Sequence, residues 1–235
     1  MTHPLSGALR QGLTGLGLSL DVSVQAQLLA YMDLIAKWNK VYNLTAVRDA
    51  QEMLTHHLLD SLAVVAPLRR ELAKLVRPQA PGALLQHPAK PDPSVLASTY
   101  RMLDVGAGAG LPGVVIAITC PEVSVTCVDT VAKKAAFVQQ VAVSLHLPNL
   151  RGLHARVETL TDPFDVVCSR AFASLPDFTS WSASALATHG VWLAMKGKRP
   201  DAEIQALPPT VKVFHVEPLT VPGLNAERCI VWMRG

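Results

Sequence analysis

No apolar run in these 235 residues is long enough to span a bilayer, which takes about 20 predominantly apolar residues. The opening residues lack a charged start, a continuous apolar stretch and a small-residue cleavage site, so no targeting segment is expected. These absences point to a chain that works in the cytoplasm and touches no membrane. The four cysteines, Cys120, Cys127, Cys168 and Cys229, form no CxxC pair and stand at no metal-ligand spacing with a histidine. Each lies among apolar residues, which predicts buried free thiols and no metal site. Charge is sparse as well: 17% of residues are charged and the net charge is +3. That balance permits a nucleic-acid partner without demanding one, because proteins devoted to phosphate backbones usually carry a larger excess. There is no convincing Ser/His/Asp set and no carboxylate pair placed for acid–base work.

What is present is a core. Half the residues are hydrophobic, enough to fill a sizeable interior. Residues 1–76 read as a helical extension. Apolar residues recur at Val24, Leu28, Met32, Ile35 and Trp38, one face of a helix over Asp21–Asn39. Asp49, three residues before Glu52, is placed to cap a second helix that turns Met53, Leu54, Leu58, Leu62 and Val65 inward. Five prolines between Arg77 and Thr99 mark a linker or long loop. From residue 100 onward strands and helices alternate. Strands are expected at Arg101–Val105, Val123–Val128, Phe164–Cys168 and Val191–Met195, with helices after Pro112, over Val131–His146 and around Asp177–Ala187. The last apolar runs, Val211–Val216 and Cys229–Met233, lack a helix-length spacer and fit a hairpin at the sheet edge. The fold class is α/β, a mostly parallel sheet with helices on both faces.

The stretch Leu103–Gly113 reads LDVGAGAGLPG, four glycines in eight residues directly after a strand. A glycine-rich turn between a strand and a helix is where open α/β folds bind ligands. Gly106, Gly108 and Gly110 free the backbone for positive φ or for contact with a ligand. Gly108–Gly113 satisfies the dinucleotide pattern GxGxxG, and Asp129 stands where an acid holds a ribose diol in both dinucleotide and S-adenosylmethionine folds. Asp104 favours the latter: two residues before the first glycine, it suits a cationic sulfonium and would repel a pyrophosphate.

Several segments then occur in a distinctive order: Trp38-Asn-Lys-Val-Tyr-Asn-Leu-Thr45, His57-Leu-Leu-Asp-Ser-Leu62, Asp104-Val-Gly-Ala-Gly-Ala-Gly-Leu-Pro-Gly113, Asp165–Leu175 with its Ser-Arg-Ala core, Ala194-Met-Lys-Gly197 and Glu227-Arg-Cys-Ile-Val-Trp232. Together they resemble the bacterial small-subunit ribosomal RNA guanine-N7 methyltransferases, the glucose-inhibited division protein B family, over nearly the whole chain. The resemblance implies a Rossmann-like S-adenosylmethionine-dependent methyltransferase fold with an N-terminal helical extension. It also implies methylation of N7 of guanosine 527 in 16S ribosomal RNA, offered free or in the small subunit. The cofactor contacts it implies fall on Gly106, Leu111, Val157, Glu158 and Arg170, and Arg170 can instead position the guanine. An S-adenosylmethionine-dependent enzyme acting on another RNA, a protein or a small molecule is the alternative. Two departures stand out. Ala107 occupies a position where the family often has Ser or Thr, and the segment 77–99 is longer and richer in proline than the family's usual connection.

Two basic clusters are candidate RNA surfaces: Lys196, Lys198 and Arg199 after a strand end, and Lys37, Lys40 and Arg48 around the first motif. His56 and His57 are adjacent and should point apart on a helix, one inward and one exposed. Trp38 is expected to anchor its helix, and Asn43 to cap or brace the turn that follows. A monomer is expected.

Overall fold

The computed structural model describes residues 3–75 and 100–235. The expected proline-rich linker at 77–99 lies outside the described residues. The extension opens with α1 (Ser6–Gly15), which buries Leu9 and Leu13. Then α2 (Val22–Tyr42) runs three residues past its expected end. It stops at Asn43, whose backbone is left-handed at φ 49°, a common way to end a helix. Asn43 thus caps the helix, and Asn39 braces the turn: its Oδ1 accepts the Thr45 N–H at 3.0 Å. Trp38 stacks on Tyr42 with ring centroids 5.2 Å apart and tilts against Phe137 at 5.7 Å, so it ties α2 to the sheet-covering helix that carries Phe137.

Asp49 caps α3 (Ala50–Met53), accepting the N–H groups of Gln51 and Glu52, each at 2.9 Å. The helix does not continue regularly. A π-helical segment over Leu54–Leu59 leads into α4 (Asp60–Leu62) and then α5 (Val65–Leu72). Met53, Leu54, Leu58, Leu62 and Val65 are all buried, as their spacing requires.

The sheet begins with β1 (Tyr100–Val105), followed by α6 (Gly113–Thr119), β2 (Val123–Asp129), α7 (Ala132–Ser144), β3 (Leu150–His154) and β4 (Phe164–Arg170). It continues through α8 (Leu175–Ser182), β5 (Leu186–Lys196), α9 (Asp201–Gln205), β6 (Lys212–Leu219) and β7 (Arg228–Arg234). Strand order is β3-β2-β1-β4-β5-β7-β6. The first five strands pair in parallel, β7 returns antiparallel to β5, and β6 pairs with β7 as the expected edge hairpin. β3 escaped the sequence reading because LRGLH has one buried residue among five. β5 starts at Leu186, where a helix was expected, because its first residues extend beyond the buried part of the strand.

Alternation along the strands splits the core in two. Met102, Val125, Cys168 and Leu193 face one side, where α1, α2, α6 and α7 cover them. Leu103, Val105, Val167 and Ala194 face the other, under α8. The helical extension is thus part of a continuous core with one face of the sheet. Between β1's neighbours the chain order reverses, and a ligand crevice at the carboxyl ends of the strands is expected at that point.

Candidate functional site

The glycine loop leaves β1 at this crevice. Gly106, Gly108 and Gly110 hold φ values of 67°, 60° and 87°, which L side chains rarely adopt. A Cβ on Gly106 would also overlap the Phe172 ring. The loop is fixed from three sides. Gly106 and Ala107 donate backbone N–H to the Val128 carbonyl at 2.9 and 3.2 Å. The buried Tyr31 hydroxyl, on α2, donates to the Ala109 carbonyl at 2.6 Å. From below, Asp104 Oδ2 accepts the Gly113 N–H at 2.8 Å.

Asp104 is fully buried and lines neither of the two recesses described below. Cys127 and Cys168, its neighbours in register on β2 and β4, flank it, and the Cys168 Sγ lies 3.5 Å from Oδ1. Burial pushes its carboxyl up to about 6, against the lowering effect of the Gly113 hydrogen bond. The expectation of a carboxylate facing a sulfonium is therefore replaced by a brace under the loop. The reason is alternation: residue 104 points into the sheet face covered by α6, as Met102 does.

Two recesses open on the loop and share Gly106 and Ala171. The first, about 380 Å³, lies over the ends of β1, β2 and β3 and contains Asp129, Val157, Glu158, Phe172 and Trp181. Asp129 Oδ2 accepts the Gly108 N–H at 3.0 Å and Oδ1 the Val131 N–H at 2.8 Å. Phe172 and Trp181 meet edge to face at 5.8 Å. Ala171, at the shared wall, has φ 52°, a conformation that costs a non-glycine residue and recurs at functional sites.

The second recess, about 560 Å³, lies between the extension and the ends of β4, β5 and β7. Gly108 and Leu111 from the loop line it, with Thr45, His56, His57 and Asp60 from the extension and Arg170, Lys196 and Arg228 from the sheet. Both histidines reach this wall, His56 exposed and His57 partly buried, as expected of adjacent residues on a helix. His57 Nε2 lies 2.5 Å from the Thr45 hydroxyl, which also accepts the Val47 N–H at 3.2 Å. Burial first, and then the nearby Arg170 cation, lower the His57 pKa and keep its ring neutral at pH 7.

Asp60 is the buried anion of this recess. Arg170 Nη1 donates to its Oδ2 at 3.0 Å and Arg228 Nε to its Oδ1 at 2.8 Å. Arg170 Nη1 also reaches the His56 carbonyl at 3.1 Å. So Arg170 belongs to the second recess and not to the one holding Asp129. Lys196 Nζ is held by the Ala173 carbonyl at 3.0 Å and Glu203 at 2.8 Å. Lys198 and Arg199 line an adjoining groove that continues from Arg228 and Cys229. Lys37, Lys40 and Arg48 are exposed and line neither recess. Asp60, Arg228, Phe172 and Trp181 were not singled out from sequence. The first three lie in segments that carried the family resemblance, but nothing in the spacing of Asp60 and Arg228 shows that they meet. All four cysteines are buried and unpaired, and burial raises the pKa of each. Among the described residues no group of His, Cys, Asp and Glu is arranged to hold a metal ion, and no helix is long and apolar enough to cross a membrane.

The family described as rRNA small subunit methyltransferase G matches residues 24–76 and 91–231. A protein of that name from a Polaromonas species is 67% identical over 226 residues, covering 96% of this chain and 92% of its own. Its namesake from an Acidovorax species is 64% identical over 229 residues, covering 97% and 94%. The chain belongs to the rRNA small subunit methyltransferase G family.

Proposed function

We propose that this protein transfers a methyl group from S-adenosylmethionine to N7 of guanosine 527 in 16S ribosomal RNA, acting as a cytoplasmic monomer. The observation that carries the reading is the pair of recesses meeting at Gly106 and Ala171. One has a carboxylate and two aromatic rings; the other has cations and room for a base.

The residues present fit the cofactor. Gly106 leaves bare backbone where a Cβ has no space, and beside it Asp129, Val157 and Glu158 would hold a nucleoside. Asp129 already accepts two backbone N–H groups, and a carboxylate has lone pairs left for a ribose diol. Leu111 and Gly108 would border the group's other end. When bound, S-adenosylmethionine supplies an electrophilic methyl on a cationic sulfur. Guanine N7 offers an in-plane lone pair and carries no proton, so the acceptor needs no general base. This matches a recess whose histidine is neutral and whose one cysteine, Cys229, has its thiol pKa raised by burial. The protein's task is to orient the base and exclude water, which Leu44, Val47, Leu111 and Met195 do as apolar walls. Lys198 and Arg199, in the groove beyond, are placed to take the phosphates of flanking nucleotides.

The test is transfer of labelled methyl from S-adenosylmethionine to small-subunit RNA from cells lacking this protein, offered bare and as particles. Label at a single guanine N7 is expected. Cofactor binding with no label in any RNA form would reject RNA as the acceptor.

A further inference from the structure

We propose that Asp60 is a positioning residue that fixes Arg170 and Arg228 as a pair in the second recess, and that Arg228 reads O6 of the target base. The inference rests on the guanine-N7 reading above and adds how the base is chosen.

The three residues come from three distant parts of the chain: the extension, the end of β4 and the start of β7. Asp60's side chain is 3% exposed, and each of its oxygens is taken by a different guanidinium. A buried carboxylate with two arginines is rarely the most stable way to pack a helix against strand ends, since apolar side chains of similar volume often do as well or better. What the arrangement supplies is direction. Asp60 and the Glu227 carbonyl occupy Arg228 Nε and Nη1, at 2.8 Å each. That leaves Nη2 of a rigid five-donor fork for a ligand.

Guanine shows two acceptors side by side on one edge, N7 and O6. In this reaction N7 must stay open to the incoming methyl, so a donor reading that edge has only O6. The other cations of the recess are less suited. Lys196 is committed to Ala173 and Glu203. Arg170 divides Nη1 between Asp60 and His56 and precedes Ala171, on the wall shared with the first recess. Arg228 borders both the second recess and the groove of Lys198 and Arg199, where a base would enter with its flanking phosphates outside. Adenine, with an amino group in place of O6, would bring a donor against a donor.

The experiment compares RNA carrying guanine, 2-aminopurine or hypoxanthine at the target position. 2-Aminopurine keeps N7 and lacks O6; hypoxanthine keeps both. The unaltered enzyme is expected to prefer guanine over 2-aminopurine by on the order of 10- to 100-fold in kcat/KM. In Arg228→Gln that ratio falls to near 1, while the guanine-to-hypoxanthine ratio and the Kd for S-adenosylmethionine stay within about 2-fold of the unaltered enzyme. Asp60→Asn keeps the shape, removes the charge that holds both arginines, and lowers the same ratio. Loss of packing alone would slow all three substrates together. An unchanged guanine-to-2-aminopurine ratio in folded Arg228→Gln overturns the proposal, as does the absence of any such preference in the unaltered enzyme. If Arg228→Gln fails to fold, Arg228→Lys, which keeps the charge without the fork, gives the same comparison. Should the unaltered enzyme methylate no guanine RNA at all, it is the guanine-N7 reading that fails.

Discussion

The two recesses are built in opposite ways. The one around Asp129 is local: most of its lining lies at or just after the ends of β1, β2 and β3, with Ala171 and Phe172 after β4 and Trp181 on α8 closing it. The one around Asp60 is assembled from residues as far apart as Thr45 and Cys229. A nucleoside site can be carried by any sheet with the right strand ends. A site that selects one base needs walls from elsewhere, and the helical extension lines the second recess with Thr45, His56, His57 and Asp60. The extension is fused to the sheet through a continuous core and through Tyr31, which holds the glycine loop itself.

The largest effect should come from a residue common to both. Gly106→Val places a branched side chain at φ 67° and into Phe172. Strain of this kind costs a non-glycine residue roughly 1–3 kcal/mol, and the overlap adds to it. Calorimetry should show S-adenosylmethionine affinity reduced beyond detection, with circular dichroism still that of a folded α/β chain. Retained affinity would mean that the cofactor does not pass the shared wall.

Asp129→Ala should separate the recesses. It removes the acceptor from Gly108 and Val131 and the candidate partner of the ribose. Affinity for S-adenosylmethionine is expected to fall about 10- to 100-fold, in line with the loss of one or two hydrogen bonds to a charged group. Binding of RNA by the apo-protein, read by filter retention, should change less than about 2-fold. Equal losses in both assays would show that the recesses act as one.

This contrast also explains what the sequence reveals. The α/β alternation, the glycine loop and Asp129 are legible because each is a local pattern: strand periodicity, bare backbone, an acid at the next strand end. Val157 and Glu158 needed the family resemblance, since β3, which precedes them, has a single buried residue and no clear alternation. The Asp60 cluster was invisible for a stronger reason. Its partners lie 110 and 168 residues apart, and no spacing rule spans such a gap. Asp104 misled in the opposite sense. Its place before the loop suggests a ligand contact, and only the face on which it lies shows that it is a brace.

Asp104 offers the smallest effect and the sharpest check on that last point. Its carboxyl, pushed up to about 6 by burial, titrates above the ordinary value near 3.8. A raised carboxyl pKa in the folded state means full stability at low pH, where the group is neutral in both folded and unfolded chains. Stability is then lost as pH rises from about 4 through 6, because the unfolded chain ionises first. Above that window the loss amounts to about 1–3 kcal/mol, each pKa unit corresponding to about 1.4 kcal/mol. Asp104→Asn keeps an acceptor for the Gly113 N–H and removes the buried charge. It should raise the Tm by a few degrees at pH 7.5, at about 2–4 °C per kcal/mol for a chain of this size, and leave it unchanged near pH 4. The same variant should bind S-adenosylmethionine within about 3-fold of the unaltered protein, because the side chain reaches neither recess. A gain in Tm together with a loss of affinity beyond 10-fold would mean that the charge acts on the sulfonium through the loop. The floor would then belong to the cofactor site, and the division between a local nucleoside recess and an assembled base recess would need a third, electrostatic member beneath both.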